Sequence, residues 1–244
     1  MNQSISMFSN LQEAKNLTGD LQESKILQMR VNITAKIEPT VAVTNFVTDG
    51  ELFAKLVTIY YYVNEHLQIL VVEAKDHNNN TIEFTEKLWE YNPRTNTFIH
   101  EKYLDGELKV SSEIEHGYGK PGEIAEFSDA RKSDETVTTQ DTAAGACFFE
   151  DPPFGKEPCC KFDDVVYNYC GSYCGYQRDA GGGPSVNQCD ACCYYHDTCL
   201  AGNGDPCDCH DTLLRCYGNA SCPGDTTMGL GIRYKAHFLD GCPL

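Results

Sequence analysis

The distribution of cysteine residues constrains this chain more than any other feature. All 14 cysteines lie between Cys147 and Cys242, and the first 146 of the 244 residues contain none. A cysteine-dense segment of this length is typical of a small, loop-rich unit held by disulfides, which form in oxidising compartments. An even number of cysteines is compatible with complete pairing. We therefore predict two domains of different kinds and a secreted, extracellular location.

Two segments bear on how such a protein would reach that location. The most apolar run, Leu52 to Val63, contains Lys55 and is too short to cross a bilayer. Residues 1–28 lack the continuous apolar stretch of a secretory signal. We expect either a leader outside this sequence or an export route that needs none.

The charge of the chain argues against two classes of partner. Its net charge is −17, of which −10 falls on residues 1–146 and −7 on residues 147–244. A negative surface repels nucleic acid and does not dock unaided on anionic lipid. It is compatible with a divalent cation that mediates binding.

The N-terminal part has the pattern of an antiparallel sheet. Residues 9–30 predict one or two short helices. The β-branched and aromatic runs that follow predict strands at residues 53–63, 66–75, 81–91, 96–104 and 107–113. Turn residues such as Asp105-Gly106 separate these runs, and connections this short indicate an antiparallel meander. We expect Trp89, the single tryptophan, to pack on one face of the sheet.

A change in composition predicts the domain boundaries. Residues 116–146 are rich in Gly, Ser, Thr, Asp and Lys and have almost no apolar periodicity, which is typical of a linker. We predict an α+β chain with a β-rich N-terminal domain over residues 1–115, possessing a minor helix, and a cysteine-rich, all-α domain over residues 147–244. A pro-region or regulatory role is our hypothesis for the N-terminal domain.

Capping residues predict two helices in the cysteine-rich domain. The first extends from an N-cap at Ser185 or Asn187 to Gly202. The second begins at Asp205-Pro206, an N-cap followed by proline at the first helical position, and ends at Gly218. The short connection between them requires an antiparallel pair.

The spacing of four cysteines predicts how these helices are joined. Cys192 and Cys199 lie two turns apart on one stripe of the first helix, and Cys209 and Cys216 do so on the second. In an antiparallel arrangement, disulfides can join Cys192 to Cys216 and Cys199 to Cys209.

A histidine and an aspartate occupy defined positions in this frame. His196 lies on the cysteine stripe of the first helix, and Asp197 shares a different stripe with Cys193. If Cys193 pairs with Cys174 or Cys170, the upstream loop lies against the Asp197 carboxylate. One carboxylate and several loop carbonyls would suit Ca²⁺, and a fixed histidine beside the ion can act as a general base toward water.

These residues resemble a known signature. The sequence from Cys192 to Cys199 is similar to the Cys-Cys-x-x-His-Asp-x-Cys motif of the secreted phospholipase A2 family. The preceding Asp190-Ala191 and the Tyr173-Cys174-Gly175 element resemble its plant branch most. The resemblance covers about residues 165–218, whereas the N-terminal domain has no counterpart that we recognise.

The resemblance implies a reaction and a set of site residues. His196 would be the general base, and Asp197 a Ca²⁺ ligand together with the carbonyls of Tyr173, Gly175 and Gln177. The amide of Gly175 would contribute to the oxyanion hole. The substrate would be a glycerophospholipid at a membrane or micelle surface, hydrolysed at its sn-2 ester without a covalent enzyme intermediate.

Two departures from the family pattern qualify the site. Many members have, in the second helix, an aspartate that orients the catalytic histidine, and here that position is His210, which we expect to be a buried partner of His196 and to weaken catalysis without abolishing it. The loop at residues 176–183 has its glycines late, so that Tyr169-Cys170-Gly171 is a rival for the calcium loop.

Two alternatives remain from the sequence alone. Cys207-x-Cys209-His210 with Cys189 and Cys192 could form a zinc site. Alternatively, the domain is a catalytically weak or silent phospholipase A2 homologue that serves as a disulfide-rich membrane-binding or toxin module. The histidine at position 210 is the main support for the silent homologue.

Overall fold

The chain divides into two compact units, one within Asn2–Thr139 and the other within Gln140–Leu244. The computed structural model describes residues 2–8, 11–31, 37–48, 51–118, 160–162, 165–171, 174–176 and 180–243. An antiparallel sheet forms the first unit, and helices with disulfides form most of the second. The linker predicted for residues 116–146 lies almost entirely outside the described residues, so its bounds stay a prediction.

The N-terminal unit is an antiparallel meander in which each described strand pairs with the next along the chain. Its strands are β1 (Asn2–Phe8), β2 (Thr40–Thr48), β3 (Glu51–Asn64), β4 (Leu67–Asp76), β5 (Thr81–Asn92), β6 (Thr97–Leu104) and β7 (Glu107–Ile114). The five predicted strands correspond to β3 through β7, and the meander is confirmed. The prediction was incomplete, because it did not include β1 and β2.

Two short helices lie between β1 and β2, as the sequence predicts. They are α1 (Leu11–Thr18) and α2 (Lys25–Arg30). Ala14 of α1 and Ile26 of α2 are buried in one cluster with Val57, Ile59 and Val71 of the sheet. The apolar sides of the helices therefore cover one face of the meander.

Trp89 packs on the opposite face of the sheet. Its ring stacks on His100, with centroids 4.7 Å apart, and on Tyr118, with centroids 4.5 Å apart. Residue 88, its neighbour on β5, belongs to the cluster beneath the helices, since successive side chains of a strand point to opposite faces. The packing predicted for the single tryptophan is confirmed.

The C-terminal unit contains the two predicted helices, α3 (Gln188–Ala201) and α4 (Pro206–Gly218). Asn187, rather than Ser185, is the N-cap of α3, and its side chain accepts a hydrogen bond from the Asp190 amide. Asp205 caps α4 and accepts from two amides of its first turn. Both helices end within one residue of the predicted glycines.

The description of this unit as all-α and built on two helices needs a correction. A ribbon of two short strands, β8 (Lys161–Phe162) and β9 (Val165–Val166), precedes the helices. A third helix, α5 (Asp225–Tyr234), follows them and continues into a π-turn at Lys235–Leu239. No helix in the described part of the chain is long and apolar enough to cross a membrane.

Six disulfides join described cysteines of this unit. They are Cys160–Cys174, Cys170–Cys193, Cys189–Cys222, Cys192–Cys216, Cys199–Cys209 and Cys207–Cys242. The two bridges predicted between α3 and α4 are confirmed. Cys147 and Cys159 lie outside the described residues. This density of disulfides fits a protein of an extracellular or other oxidising compartment.

Candidate active site

The facing sides of α3 and α4 bring two buried histidines together. His196 projects from α3 and His210 from α4, and each is at most 9% exposed. His196 Nε2 lies 2.9 Å from His210 Nδ1, a hydrogen-bond distance. The sequence prediction that His210 is the buried partner of His196 agrees with this geometry.

Disulfides flank the histidine pair on both sides. Cys192–Cys216 and Cys199–Cys209 join α3 to α4 with Cα separations of 5.8 and 5.9 Å. His196 lies between these two bridges on α3. Because the two helices cannot slide or rotate past each other while both bridges are intact, the position of the imidazole pair is fixed covalently.

A carboxylate continues the hydrogen-bonded chain beyond His210. Asp240 Oδ2 lies 2.6 Å from His210 Nε2, and Lys235 Nζ donates to the same oxygen at 2.9 Å. The sequence analysis missed Asp240. The sequence contained only an indirect signal for it. His210 occupies a position where a carboxylate is common, and a buried histidine there needs a hydrogen-bond acceptor of its own.

Burial and these contacts affect how the chain of groups ionises. Burial lowers the pKa of His210 below its ordinary value, and its hydrogen bond to Asp240 opposes this shift only in part. Partial burial acts to raise the pKa of Asp240, but hydrogen bonds from Lys235 and His210 outweigh burial and lower it. His210 is therefore neutral and Asp240 ionised near neutral pH.

On the other side of His196, Asp197 lies against the loop that precedes α3. Its Oδ1 is 3.7 Å from His196 Nδ1, and its Oδ2 accepts a hydrogen bond of 3.2 Å from the Tyr176 amide. Gly175 has a φ of +107°, and a Cβ at this position would collide with Asp197 Oδ2. Only glycine lets the backbone approach the carboxylate so closely.

The cysteine pairing explains why the loop lies there. Cys193, one turn before Asp197 on α3, pairs with Cys170, which is one of the two partners considered from the sequence. The other candidate, Cys174, pairs with Cys160. The loop is therefore held to α3 at Cys170 and to the β8 ribbon at Cys174.

The amide of Gly175 already has a partner. It donates a hydrogen bond of 3.0 Å to the carbonyl of Ala180. An oxyanion donor must point at the reacting oxygen, so this bond would have to break for the amide to take the role that the resemblance implies.

The described members of the predicted calcium site have suitable chemistry. The Asp197 side chain is 23% exposed, so its carboxylate is still accessible from solvent. It faces the backbone at Gly175 and accepts a hydrogen bond from the Tyr176 amide. Ca²⁺ prefers a carboxylate combined with main-chain carbonyl oxygens, so these carbonyls would have to come from other atoms of the loop. Tyr173 and Gln177, the other predicted carbonyl ligands, lie outside the described residues. Within the described ranges, no group of three or more His, Cys, Asp or Glu side chains could hold a metal.

The rival loop element, Tyr169-Cys170-Gly171, is hydrogen-bonded to the carboxylate of Asp190 rather than to that of Asp197. Asp190 is fully buried in the first turn of α3. It accepts hydrogen bonds from four backbone amides, which are those of residues 168, 169, 170 and 186. Asp190 thus joins the start of the loop to the helix and leaves Gly175 as the residue that lies against Asp197.

The zinc alternative is wrong. The cysteines that it requires are Cys189, Cys192, Cys207 and Cys209, and each is paired in a disulfide. A thiolate binds zinc and a disulfide sulfur does not.

Comparisons of the chain with protein-family models, with curated proteins and with solved structures found no match. The likeness to secreted phospholipases A2 therefore rests on the sequence motif at Cys192 to Cys199 and stays an expectation from the sequence.

Proposed function

We propose that the C-terminal unit is a Ca²⁺-dependent phospholipase A2 that hydrolyses the sn-2 ester of glycerophospholipids. One observation carries this proposal. His196 is fixed between two disulfides, with one ring nitrogen bonded to His210 and the other directed toward the Asp197 carboxylate and its glycine loop. A histidine that could act as a base therefore lies next to a carboxylate that could contribute to a hard-oxygen site.

In the proposed reaction, water is the nucleophile. His196 accepts a proton from the water as its oxygen attacks the sn-2 carbonyl carbon. The ester C–O bond then breaks, and the proton passes from His196 to the glycerol oxygen, so the products are a lysophospholipid and a fatty acid. When bound beside Asp197, Ca²⁺ would supply a positive charge for the oxyanion that develops. Because the Gly175 amide donates to Ala180, a cation held by Asp197 would have to supply more of this stabilisation.

Aromatic side chains near the loop support binding at a lipid surface. Tyr176, Tyr194 and Tyr195 form a row of edge-to-face rings, with centroids 6.3 and 5.6 Å apart. Tyr194 packs against the core, which accounts for an aromatic residue at that position. Tyr195 is 66% exposed, so core packing does not account for it. Tyrosine is amphipathic and favours the interface between water and lipid. Since the unit is acidic, a zwitterionic surface suits it better than an anionic one.

The test is release of fatty acid from phosphatidylcholine vesicles that carry a labelled sn-2 chain. We expect release that requires added calcium and stops in chelator. The His196→Gln variant should lose activity by a factor of about 1,000 or more, because it removes the imidazole that faces Asp197 and would take the proton. His116→Gln, which changes an exposed histidine of the other unit, is the matched control and should retain full activity. Hydrolysis that continues unchanged in chelator would overturn the mechanism.

The second candidate is a silent homologue that binds membranes without hydrolysis. The engaged amide of Gly175 and the histidine at position 210 favour it, since both differ from what the resemblance implies for an efficient enzyme. Vesicle binding or lysis that is unchanged in His196→Gln, together with no fatty acid release by the native protein, would support this function instead.

A further inference from the structure

We infer that Asp240 is a positioning residue that, through His210, dictates which nitrogen of His196 carries the proton. This inference rests on the proposed role of His196 as the water-activating base and extends it to two residues outside the sequence motif. It is carried by two hydrogen-bond distances, 2.6 Å between Asp240 and His210 and 2.9 Å between the two histidines.

The protons along this chain follow from the capacity of each group. An ionised carboxylate only accepts hydrogen bonds, so His210 Nε2 donates to Asp240. A neutral imidazole with its proton on Nε2 has only a lone pair on Nδ1, so His210 Nδ1 accepts from His196 Nε2. His196 Nδ1 is then left with a lone pair, and this nitrogen faces Asp197, where the reacting water would lie.

The surroundings keep each group in the required state. Lys235 donates to the same oxygen of Asp240 as His210 and so favours the carboxylate. His210 is 1% exposed, which favours its neutral form. The disulfide between Cys207 and Cys242 holds the segment that carries Asp240 close to the start of α4. The carboxylate that many phospholipases A2 place directly on the base is here displaced by one imidazole.

Removing the acceptor at position 240 would release this order. In Asp240→Ala, no side-chain group at this position accepts from His210 Nε2, so the His210 proton can also occupy Nδ1. That proton then points at His196 Nε2, so His196 carries its own proton on Nδ1 and cannot accept one from water. A merely structural contact would not predict a coupled change in both tautomers.

The first measurement reads the tautomers without substrate or calcium. Side-chain ¹⁵N chemical shifts of the ¹⁵N-histidine-labelled full chain, at a pH where both imidazoles are neutral, should show the proton on Nε2 of both His196 and His210. In Asp240→Ala, a substantial fraction of both imidazoles should carry it on Nδ1. Asp211→Asn, an exposed aspartate of α4 paired with Arg215, is the control and should leave both tautomers unchanged.

The second measurement is vesicle hydrolysis with calcium. Asp240→Ala should lower kcat by about 10- to 100-fold while KM changes less than about twofold, and Asp240→Glu should recover part of the loss. His210→Asp places a carboxylate next to His196, so adding Asp240→Ala to that variant should have no further effect on kcat.

The two measurements separate failure of this inference from failure of the proposed function. If the native protein does not hydrolyse phospholipid but its tautomers change in Asp240→Ala, the proposed function fails and the positioning role stands. Identical tautomers in the native protein and in Asp240→Ala would overturn the inference, whatever the activity. If Asp240→Ala does not fold, Asp240→Glu and the comparison with His210→Asp decide the question. An equal loss of kcat from the change at position 240 with and without His210→Asp would count against the inference.

Discussion

Gly175 has a backbone conformation that favours glycine, and it lies against the carboxylate of Asp197. Its φ is positive, and a Cβ placed on it would collide with Asp197, so any side chain must both strain the loop and push the carboxylate away. Gly182 has a similar φ of +85°, but no atom lies within 4 Å of a Cβ placed there. The two glycines therefore separate backbone strain from displacement of the site.

We predict that Gly175→Ala lowers hydrolysis by about 100-fold, because Asp197 and the loop can no longer approach each other. Gly182→Ala is the matched control. Each variant should lose about 1 kcal/mol of stability from the left-handed conformation, measured by urea unfolding, and only Gly175→Ala should lose activity. Equal activities in the two variants would remove the glycine loop from the site.

The lowered pKa of His210 predicts how stability depends on pH. The folded state binds a proton at this residue less readily than the unfolded state, in which the pKa has its ordinary value of 6.5. The stabilisation is therefore fully present above pH 6.5 and is lost as the pH falls from there through the lowered folded pKa. Folding becomes weaker on acidification because the buried imidazole must accept a charge.

The measurement is the free energy of unfolding in urea at several pH values between 5 and 8. We expect it to fall on the acid side of pH 6.5 in the native protein and to fall less in His210→Gln, which has no group that titrates at this position. The difference between the two proteins removes the contribution of the other histidines. If the free energy of unfolding depends on pH in the same way in the two proteins, the pKa of His210 is not lowered by folding.

The residues of the site differ in how far the sequence could predict them. His196 and Asp197 lie on a helix whose cysteine spacing determines its partners, and Gly175 lies in a loop that a cysteine joins to that helix. The pattern was therefore sufficient to predict that the three residues lie close together, and their roles stay predictions. Asp240 lies 30 residues from His210 in the chain, in a segment with no motif, and only the folded backbone brings the two together. The engagement of the Gly175 amide by Ala180 is likewise a contact of loop geometry that no local pattern encodes.

At the scale of elements, Asp190 joins the loop to α3. Asp190 and Asp208 occupy the same position in the first turns of α3 and α4. The negative charge of each therefore interacts favourably with the dipole of its helix. Asp208 is exposed, whereas Asp190 is buried and satisfies four loop amides.

We predict that Asp190→Asn lowers the free energy of unfolding by about 3 kcal/mol, because an NH₂ group replaces an acceptor among buried donors. Asp208→Asn should cost less than about 1 kcal/mol, since it removes only an exposed charge at a helix start. Urea unfolding of the oxidised protein measures both. A small, equal effect of the two changes would show that the buried carboxylate does not hold the loop.

The elements that the sequence analysis missed share a physical cause. Helix α5 contains Gly229 and Gly231, which disfavour an isolated helix by about 1 kcal/mol each, and it forms because Met228, Leu230 and Ile232 become buried. Strand β1 contains several polar residues and pairs with β2 across a long stretch of chain. In contrast, α3 and α4 have strong local capping signals, and β3 to β7 are joined by short turns, so their formation could be predicted locally.

At the scale of the whole molecule, the two units differ in what stabilises them. The unit within Asn2–Thr139 contains no cysteine and includes the single tryptophan, whereas the described disulfides all lie in the other unit. The sheet depends on apolar burial against α1 and α2. The helical unit, with its short elements, depends on cross-links, as small domains with limited cores commonly do.

We predict that reduction by dithiothreitol followed by alkylation abolishes fatty acid release and most tertiary structure of the C-terminal unit. Trp89 fluorescence and its urea midpoint should not change, because Trp89 reports on the cysteine-free sheet. Protein treated with the alkylating agent alone is the control and should keep its activity. A large shift in the tryptophan midpoint after reduction would mean that the sheet relies on the disulfides.

Under the proposed function, the bridge from Cys207 to Cys242 gives the segment that carries Asp240 a bearing on catalysis. Asp240 lies two residues before Cys242, so the carboxylate that would orient the base is held by a bond that reducing surroundings would break. A newly made chain still inside a reducing cell would therefore contain every side chain of the site but not their alignment. The lipids of the producing cell would be spared until the protein reached an oxidising environment.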